Sequence, residues 1–130
     1  MFLRSIGCIG IVAAALAAPA EPELGHPFEM RPAEVVTIQR VRITFDNVSD
    51  DSRCPAGASC MWAGDAAAVF TLETPPSAAL HCTLHTNGRF DRETEYGGLI
   101  VRLEGIKPHP REGATIRPDD YRATLVVTRR

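Results

Sequence analysis

The residues most capable of chemistry lie in one stretch, residues 50–66, which holds two of the four cysteines and the only tryptophan. Cys54 and Cys60 enclose five residues, among them Pro55, Gly57 and further small residues. Such a segment turns easily, so the two sulfurs can meet at disulfide distance. We predict a structural disulfide between Cys54 and Cys60.

Two other kinds of chemistry are open to this cysteine pair. Redox pairs of the thioredoxin type use a C-x-x-C spacing beside a helix N-terminus, and neither feature is present here. Met61 beside the cysteines, together with the histidines of the chain, instead suggests a soft-metal site of copper type. A zinc site is disfavoured, because four-ligand sites usually supply two closely spaced pairs of ligands.

The side chains next to the cysteines have predicted structural roles. Trp62 lies two residues beyond Cys60, so on an extended segment both side chains point to the same face. We expect Trp62 to pack over or near the disulfide, as tryptophan does in some β-sandwich cores. Asp51 and Arg53 are expected to hold the loop from outside through hydrogen bonds, or through one exposed ion pair worth under about 1 kcal/mol.

The stretch resembles the signature of small exported bacterial proteins of unassigned function, in which Asp-Ser-Arg-Cys-Pro is followed by a second Cys and then by Trp-Ala-Gly. We call residues 51–64 the signature loop. Besides the two cysteines, its matching positions are Asp51, Ser52, Arg53, Pro55, Trp62, Ala63 and Gly64. The resemblance implies export but carries no activity with it. Asp65, where the family is expected to carry Asn, and Cys82 depart from the pattern.

The N-terminus has the pattern of an export signal. Residues 1–4 carry one positive charge, residues 5–17 are uncharged and apolar, and Ala18-Pro19-Ala20 offers a small-x-small cleavage site. We predict a signal peptide over residues 1–20 with Cys8 in its apolar core. The mature chain would begin near Glu21 and lie in the periplasm or outside the cell, without a membrane span.

Charge narrows the range of partners. Removal of residues 1–20 takes away Arg4 and no acidic residue, so the 14 basic and 16 acidic side chains become 13 and 16, a formal charge of −3. Lys107 is the only lysine, and the basic residues form no block. Nucleic acid and anionic membrane surfaces are therefore not expected as partners.

Cys82 is left over in the mature chain if the first two cysteines pair. In the run Leu80-His81-Cys82-Thr83-Leu84-His85, strand alternation places Cys82 on the same face as Leu80 and Leu84. We predict a buried free thiol at this position. An intermolecular disulfide or a bridge between Cys60 and Cys82 is the alternative.

The rest of the chain reads as short strands separated by turn signals. Strand patterns occupy residues 35–38, 40–45, 65–74, 78–86, 99–106 and 122–128, and Phe28 begins a short edge strand. Residues 46–64 are predicted to be a loop, and residues 89–95 are charged and expected to be exposed. No window shows a period of 3.6 residues, and prolines interrupt most candidate helices.

We therefore predict an all-β fold, a single domain over residues 21–130. Its expected form is a small immunoglobulin-like β-sandwich of about seven strands, with a small closed barrel as the alternative. The run from Ile116 through Pro118 to Tyr121 and Ala123 resembles the tyrosine corner of fibronectin-type sandwiches. That resemblance implies that the Tyr121 hydroxyl bonds upstream backbone.

Catalytic motifs are missing from the sequence. It contains no Gly-rich phosphate loop, H-E-x-x-H or G-x-S-x-G, and nothing supplies a base and an orienting acid for Ser52 or Ser59. We predict a non-enzymatic, exported binding module without a cofactor, which uses its signature loop to bind a protein or a cell-envelope component. The alternative is a periplasmic copper-type metal-binding protein that uses Met61, cysteines and histidines.

Overall fold

The computed structural model describes residue 7, residues 10–14 and residues 20–130. The predicted signal peptide, with Cys8 and most of its cleavage site, therefore lies largely outside the described residues. Within them, the elements are β1 (Phe28–Met30), β2 (Val35–Ile38), β3 (Val41–Asp51), β4 (Ala66–Glu73), β5 (Leu80–His85), β6 (Glu93–Tyr96), β7 (Leu99–Lys107), a 3-10 turn (Pro118–Asp120) and β8 (Arg122–Arg129). None of the helical segments in this part of the chain has the length and apolar character needed to cross a membrane.

The strands form two four-stranded antiparallel sheets, ordered β2-β3-β4-β5 and β1-β8-β7-β6. The all-β fold and its two-sheet, sandwich-like architecture are thus confirmed. Within each sheet, neighbouring strands follow one another in the chain, except for the β1–β8 pair. Immunoglobulin domains use Greek-key connections instead, so the likeness to them is limited to two packed antiparallel sheets.

The core lies between the sheets and is formed by the alternating apolar faces that the sequence predicts. Strand β3 buries Val41, Ile43 and Phe45, and the Phe45 ring stacks on Phe70 of β4 with ring centroids 5.2 Å apart. The other sheet contributes residues such as Leu103 on β7, and no polar side chain is fully buried among the described residues. Apolar burial of this kind is the main stabilising contribution to such a domain.

Two boundaries differ from the sequence prediction. Strand β3 continues through Asp51, so residues 46–51 are strand and not loop. Its register shifts between Phe45 and Asn47 and again between Val48 and Asp50. Each shift inserts a residue and breaks the two-residue alternation by which a strand is recognised in sequence. Strand β6, Glu93–Tyr96, was missed because its residues are charged or only partly buried.

This extension of β3 positions the signature loop. Asp51 ends β3 opposite Ala66, which begins β4, so the loop leaves and re-enters one sheet between adjacent strands. The end of β7 faces the start of β8 through the pair Lys107–Arg122, with Tyr121 directly before β8. Side chains from both sheets therefore meet at this end of the sandwich.

Candidate functional site

The disulfide predicted in the signature loop is present. Cys54 and Cys60 are bonded, with Cα atoms 5.9 Å apart. Between them the chain turns at Pro55, whose carbonyl accepts a hydrogen bond of 3.1 Å from the Ala58 amide. The bridge closes a small loop, so it defines a local shape more than it raises global stability.

A largely buried ion pair holds the start of the loop. Arg53 Nε and Nη2 each donate to one carboxylate oxygen of Asp51 at 2.8 Å, a two-point contact. The two side chains are only 10% and 12% exposed. The expected hydrogen bonds of Asp51 and Arg53 are present, but the expectation that the pair is exposed on the outside of the loop was wrong, because Arg53 points into the junction between the sheets.

The same guanidinium reaches the other sheet. Arg53 Nη1 donates to the Ile106 carbonyl at 2.6 Å and Nη2 donates to the Pro108 carbonyl at 3.0 Å. All the nitrogens of the guanidinium group are thus hydrogen-bonded, which offsets the cost of removing the charge from water. Arg53 ties the loop to the end of β7.

Tyr121 completes this junction. Its hydroxyl donates to Asp51 Oδ2 at 2.9 Å, across 70 positions of sequence. The tyrosine-corner pattern placed Tyr121 correctly before the last strand, but the partner is a carboxylate of the other sheet and not upstream backbone. We call Asp51, Arg53 and Tyr121 the anchor triad.

Burial and the contacts within the anchor triad shift the pKa values of Asp51 and Tyr121 in opposite directions. Burial alone would raise the pKa of Asp51, but hydrogen bonds from Arg53 and Tyr121 and the Arg53 charge hold that pKa below its usual value. For Tyr121, burial, the hydrogen bond to Asp51 and the charge of Asp51 raise the pKa of the hydroxyl, against a smaller opposing effect of Arg53. The folded state thus favours an ionised Asp51 beside a neutral Tyr121.

The two ends of the loop cross closely at Ser52 and Gly64. The Ser52 amide donates to the Asp65 carbonyl at 2.7 Å, and the Ser52 hydroxyl both donates to that carbonyl and accepts from the Asp65 amide at 3.1 Å. A Cβ on Gly64 would lie 1.8 Å from the Ser52 carbonyl oxygen. Only glycine fits at position 64, which explains this signature residue.

Asp65 connects the loop to the segment after β5. Its Oδ2 accepts from His85 Nδ1 at 2.6 Å, and its Oδ1 accepts from the Asn87 amide at 3.0 Å. The Asn87 side chain in turn donates to the Gly64 carbonyl at 3.2 Å. Asp65, which departs from the signature, therefore links the signature loop to the segment after β5 in this chain.

A third tie fixes the disulfide turn from the side of β7. The Ala56 amide donates to the Pro110 carbonyl at 2.8 Å, and the Ala56 carbonyl accepts from the Glu112 amide at 3.1 Å. His109 Nε2 donates to the Cys54 carbonyl at 3.0 Å. Together with the anchor triad and the Asp65 contacts, these bonds hold the loop at both ends and in its middle.

Although the loop is anchored by these contacts, the side chains of Met61 and Trp62 point into solvent. Met61 is 94% exposed and Trp62 is 74% exposed. Trp62 is therefore not a core residue packed on the disulfide. The premise failed because the segment after Cys60 bends and is not extended, so two-residue spacing no longer selects one face.

Met61 and Trp62 form a ridge between two surface grooves. The groove on one side, of about 490 Å³, is also lined by both cysteines and by Ser52, Arg53, Pro55 and Ser59. We call it the disulfide groove. The groove on the other side, of about 330 Å³, is lined by Ala63, Asn87 and Arg89, and we call it the Arg89 groove. Trp62 thus lies near the disulfide as a fellow lining residue of an open groove.

The remaining predicted residues lie elsewhere. Cys82 is a free thiol, packed against the core on the predicted face but only partly buried. Burial and then the Asp46 charge raise the pKa of this thiol to about 11. A bridge between Cys60 and Cys82 does not form, because Cys60 is bonded to Cys54.

The residues of the copper alternative are dispersed or already engaged. The sulfurs of Cys54 and Cys60 are consumed by their disulfide, and His81 is hydrogen-bonded to Thr71 at 3.0 Å. Over residues 7, 10–14 and 20–130, no three His, Cys, Asp or Glu side chains cluster where they could hold a metal ion.

Sequence reasoning missed several residues of this site. Asn87 and His109 are two of them, and neither was among the predicted site residues. Their contacts are long-range and leave no local sequence pattern.

No protein-family model matches this chain, and comparisons with curated proteins and with solved structures give no match. The signature resemblance remains a prediction.

Proposed function

We propose that this protein is a non-enzymatic binding module that uses the Met61–Trp62 ridge to contact a protein of the cell envelope. The observation that carries the proposal is the combination of two exposed apolar side chains with a loop fixed by largely buried polar contacts. Tryptophan is enriched among the residues that dominate binding energy at interfaces, and methionine adapts to irregular partner surfaces.

The signature loop contributes little to the domain core, so a role in the core does not explain why so many contacts anchor the loop. Its side chains at positions 61 and 62 are neighbouring apolar groups that face water, and contiguous exposed apolar surface is a feature of interaction sites. Fixing such side chains before binding lowers the entropy lost on association. The anchor triad, the disulfide and the Asp65 contacts therefore support a preorganised binding surface.

Site-specific photo-crosslinking in the cells that make the protein tests this function. A photoreactive phenylalanine analogue replaces Met61 in one version of the full chain. In the control version it replaces Arg129, an exposed residue of β8 at the opposite end of the sandwich. We expect one or a few discrete adducts from position 61, not seen from position 129, and expect Trp62→Ala to abolish them.

Adducts that are equally diffuse from both positions would count against a specific partner. Adducts from position 61 that survive Trp62→Ala would remove Trp62 from the binding surface.

We also propose that the chain is exported and belongs with the small exported proteins that its signature resembles. The N-terminal pattern and the disulfide, a bond that persists in oxidising compartments, support this. Sequencing the N-terminus of protein recovered outside the cytoplasm should find a start near Glu21. An intact Met1 in that fraction would refute the predicted cleavage.

A further inference from the structure

The two grooves beside the Met61–Trp62 ridge differ in the polar groups that they leave free. In the disulfide groove, Asp51 and the carbonyls of Ile106 and Pro108 take up four of the five N–H donors of the Arg53 guanidinium. The Ser52 hydroxyl is likewise used, by the Asp65 backbone. What remains for a ligand is mainly the disulfide, Pro55 and the faces of Met61 and Trp62, an apolar surface with Ser59 as its polar edge.

The Arg89 groove leaves a charge free. Asn87 is occupied there, because its amide nitrogen bonds the loop backbone and its Oδ1 accepts from the Arg89 amide at 3.0 Å. That last bond fixes the Arg89 backbone. Within residues 7, 10–14 and 20–130, the Arg89 guanidinium itself makes no hydrogen bond or ion pair.

We propose that the ridge binds a protein segment that carries a large apolar side chain close to a carboxylate. The apolar side chain would enter the disulfide groove against Trp62, and the carboxylate would pair with Arg89 across the ridge. This inference rests on the binding function proposed above and assigns the class of its partner. The mature chain carries a predicted net negative charge, so attraction of an acidic segment must come from the local charge of Arg89.

Other ligand classes fit these surfaces less well. A glycan needs many free hydrogen-bonding groups around its hydroxyls, and those of the disulfide groove are mostly consumed. A fatty acid would match an apolar groove and one cation, but Met61 and Trp62 project from the surface and do not enclose a chain. A protein segment can cover a ridge and fill both grooves at once, as interface hot spots require.

Chemical-shift titration of the isotope-labelled mature chain tests the assignment. The probes are three blocked peptides: acetyl-Asp-Leu-Phe-Glu-amide, its basic counterpart acetyl-Lys-Leu-Phe-Lys-amide, and acetyl-Asp-Gly-Ser-Glu-amide, which lacks apolar side chains. Chitotetraose serves as the glycan probe. We expect the acidic apolar peptide to bind most tightly and to shift amides of residues 54–62 and 87–89.

Two charge variants separate the local cation from the overall charge. Arg89→Gln should weaken binding of the acidic apolar peptide roughly two- to fivefold, the effect of losing one exposed ion pair. Arg129→Gln changes the net charge equally but lies at the far end of β8, so it should leave the affinity nearly unchanged. Added salt should reduce the difference between wild type and Arg89→Gln.

Tighter binding of the basic peptide or of chitotetraose than of the acidic apolar peptide would overturn the inference, and so would equal effects of the two arginine variants. A third contrary result is the absence of any chemical-shift change at about 10 mM acidic apolar peptide, a concentration at which even weak binding of a short peptide is detected. If crosslinking from position 61 is specific while the peptides fail, the partner class is wrong and the binding function stands. If both fail, the function falls with it.

Discussion

Replacing Arg53 by methionine removes the guanidinium group but keeps a long apolar side chain in the junction. The change leaves the Asp51 carboxylate nearly buried, with Tyr121 as its remaining side-chain donor. It also leaves the carbonyls of Ile106 and Pro108 without the donors that Arg53 supplies. Each of these losses destabilises the folded state, because buried charges and acceptors are costly when unpaired.

The expected magnitude follows from burial. Breaking a buried ion pair by removing one partner costs about 3–5 kcal/mol. Since both side chains retain about a tenth of their exposure, we expect Arg53→Met to lower the free energy of unfolding by roughly 3 kcal/mol, toward the lower end of that range. Against a total stability on the order of 5–15 kcal/mol, urea denaturation of the mature chain would measure this easily.

The chain offers a matched control in Arg42, which pairs with Glu73 at 3.5 Å on the outer face of the same sheet. Those side chains are 48% and 32% exposed. Arg42→Met should therefore cost under about 1 kcal/mol. The reasoning would be refuted if the two methionine variants were equally stable.

Acid should narrow the gap between wild type and Arg53→Met. In the wild type the folded pKa of Asp51 is depressed, so its contribution is complete above the unfolded value, about 3.9, and is lost as pH falls through the folded pKa. Without Arg53, burial favours the protonated acid, so the variant loses less on acidification. A difference in stability that stays constant from pH 7 to pH 3 would contradict this role of Asp51.

Four further predictions concern Tyr121, Gly64, Cys82 and the disulfide. Tyr121→Phe removes a hydrogen bond to a carboxylate and should cost about 1.5–3 kcal/mol in denaturation; an unchanged midpoint would make that bond irrelevant. Gly64→Ala should cost about 1–3 kcal/mol or prevent native loop closure, whereas Gly88→Ala, with open space around it, should be nearly neutral; equal midpoints would reject the close crossing at Ser52. At pH 8 the Cys82 thiol should react with iodoacetamide at least about tenfold more slowly than after unfolding, and rapid native labelling would contradict its burial. Reduction of the disulfide should change Trp62 fluorescence at urea concentrations too low to unfold the domain. An unchanged fluorescence signal would show that the disulfide does not determine the position of Trp62.

Much of the scaffold was predictable because its signal is local. Alternation in residues 41–45, 99–103 and 123–127 identified buried faces that the structure confirms. The disulfide was predictable for the same reason, since a short, small-residue segment between two cysteines closes on itself. Where the alternation is interrupted by bulges, as in residues 46–51, the prediction failed.

The site itself depends on contacts that sequence spacing does not encode. Arg53 and Asp51 are two residues apart and were recognised as a pair, but their burial follows from the ends of β7 and β8 that cover them. Tyr121 was placed correctly before the last strand, while its partner lies 70 positions away. The exposure of Trp62 was missed because the prediction assumed an extended segment after Cys60, and the bend there turns Trp62 to solvent.

We expect the signature loop to hold its exposed residues in one fixed arrangement. Backbone ¹⁵N relaxation of the oxidised mature chain measures this directly, and Trp62 supplies a unique indole signal because it is the only tryptophan. The anchoring predicts order parameters for residues 53–63 near the value of about 0.85 typical of rigid backbone. Values below about 0.6 across these residues would show a flexible loop and contradict the account.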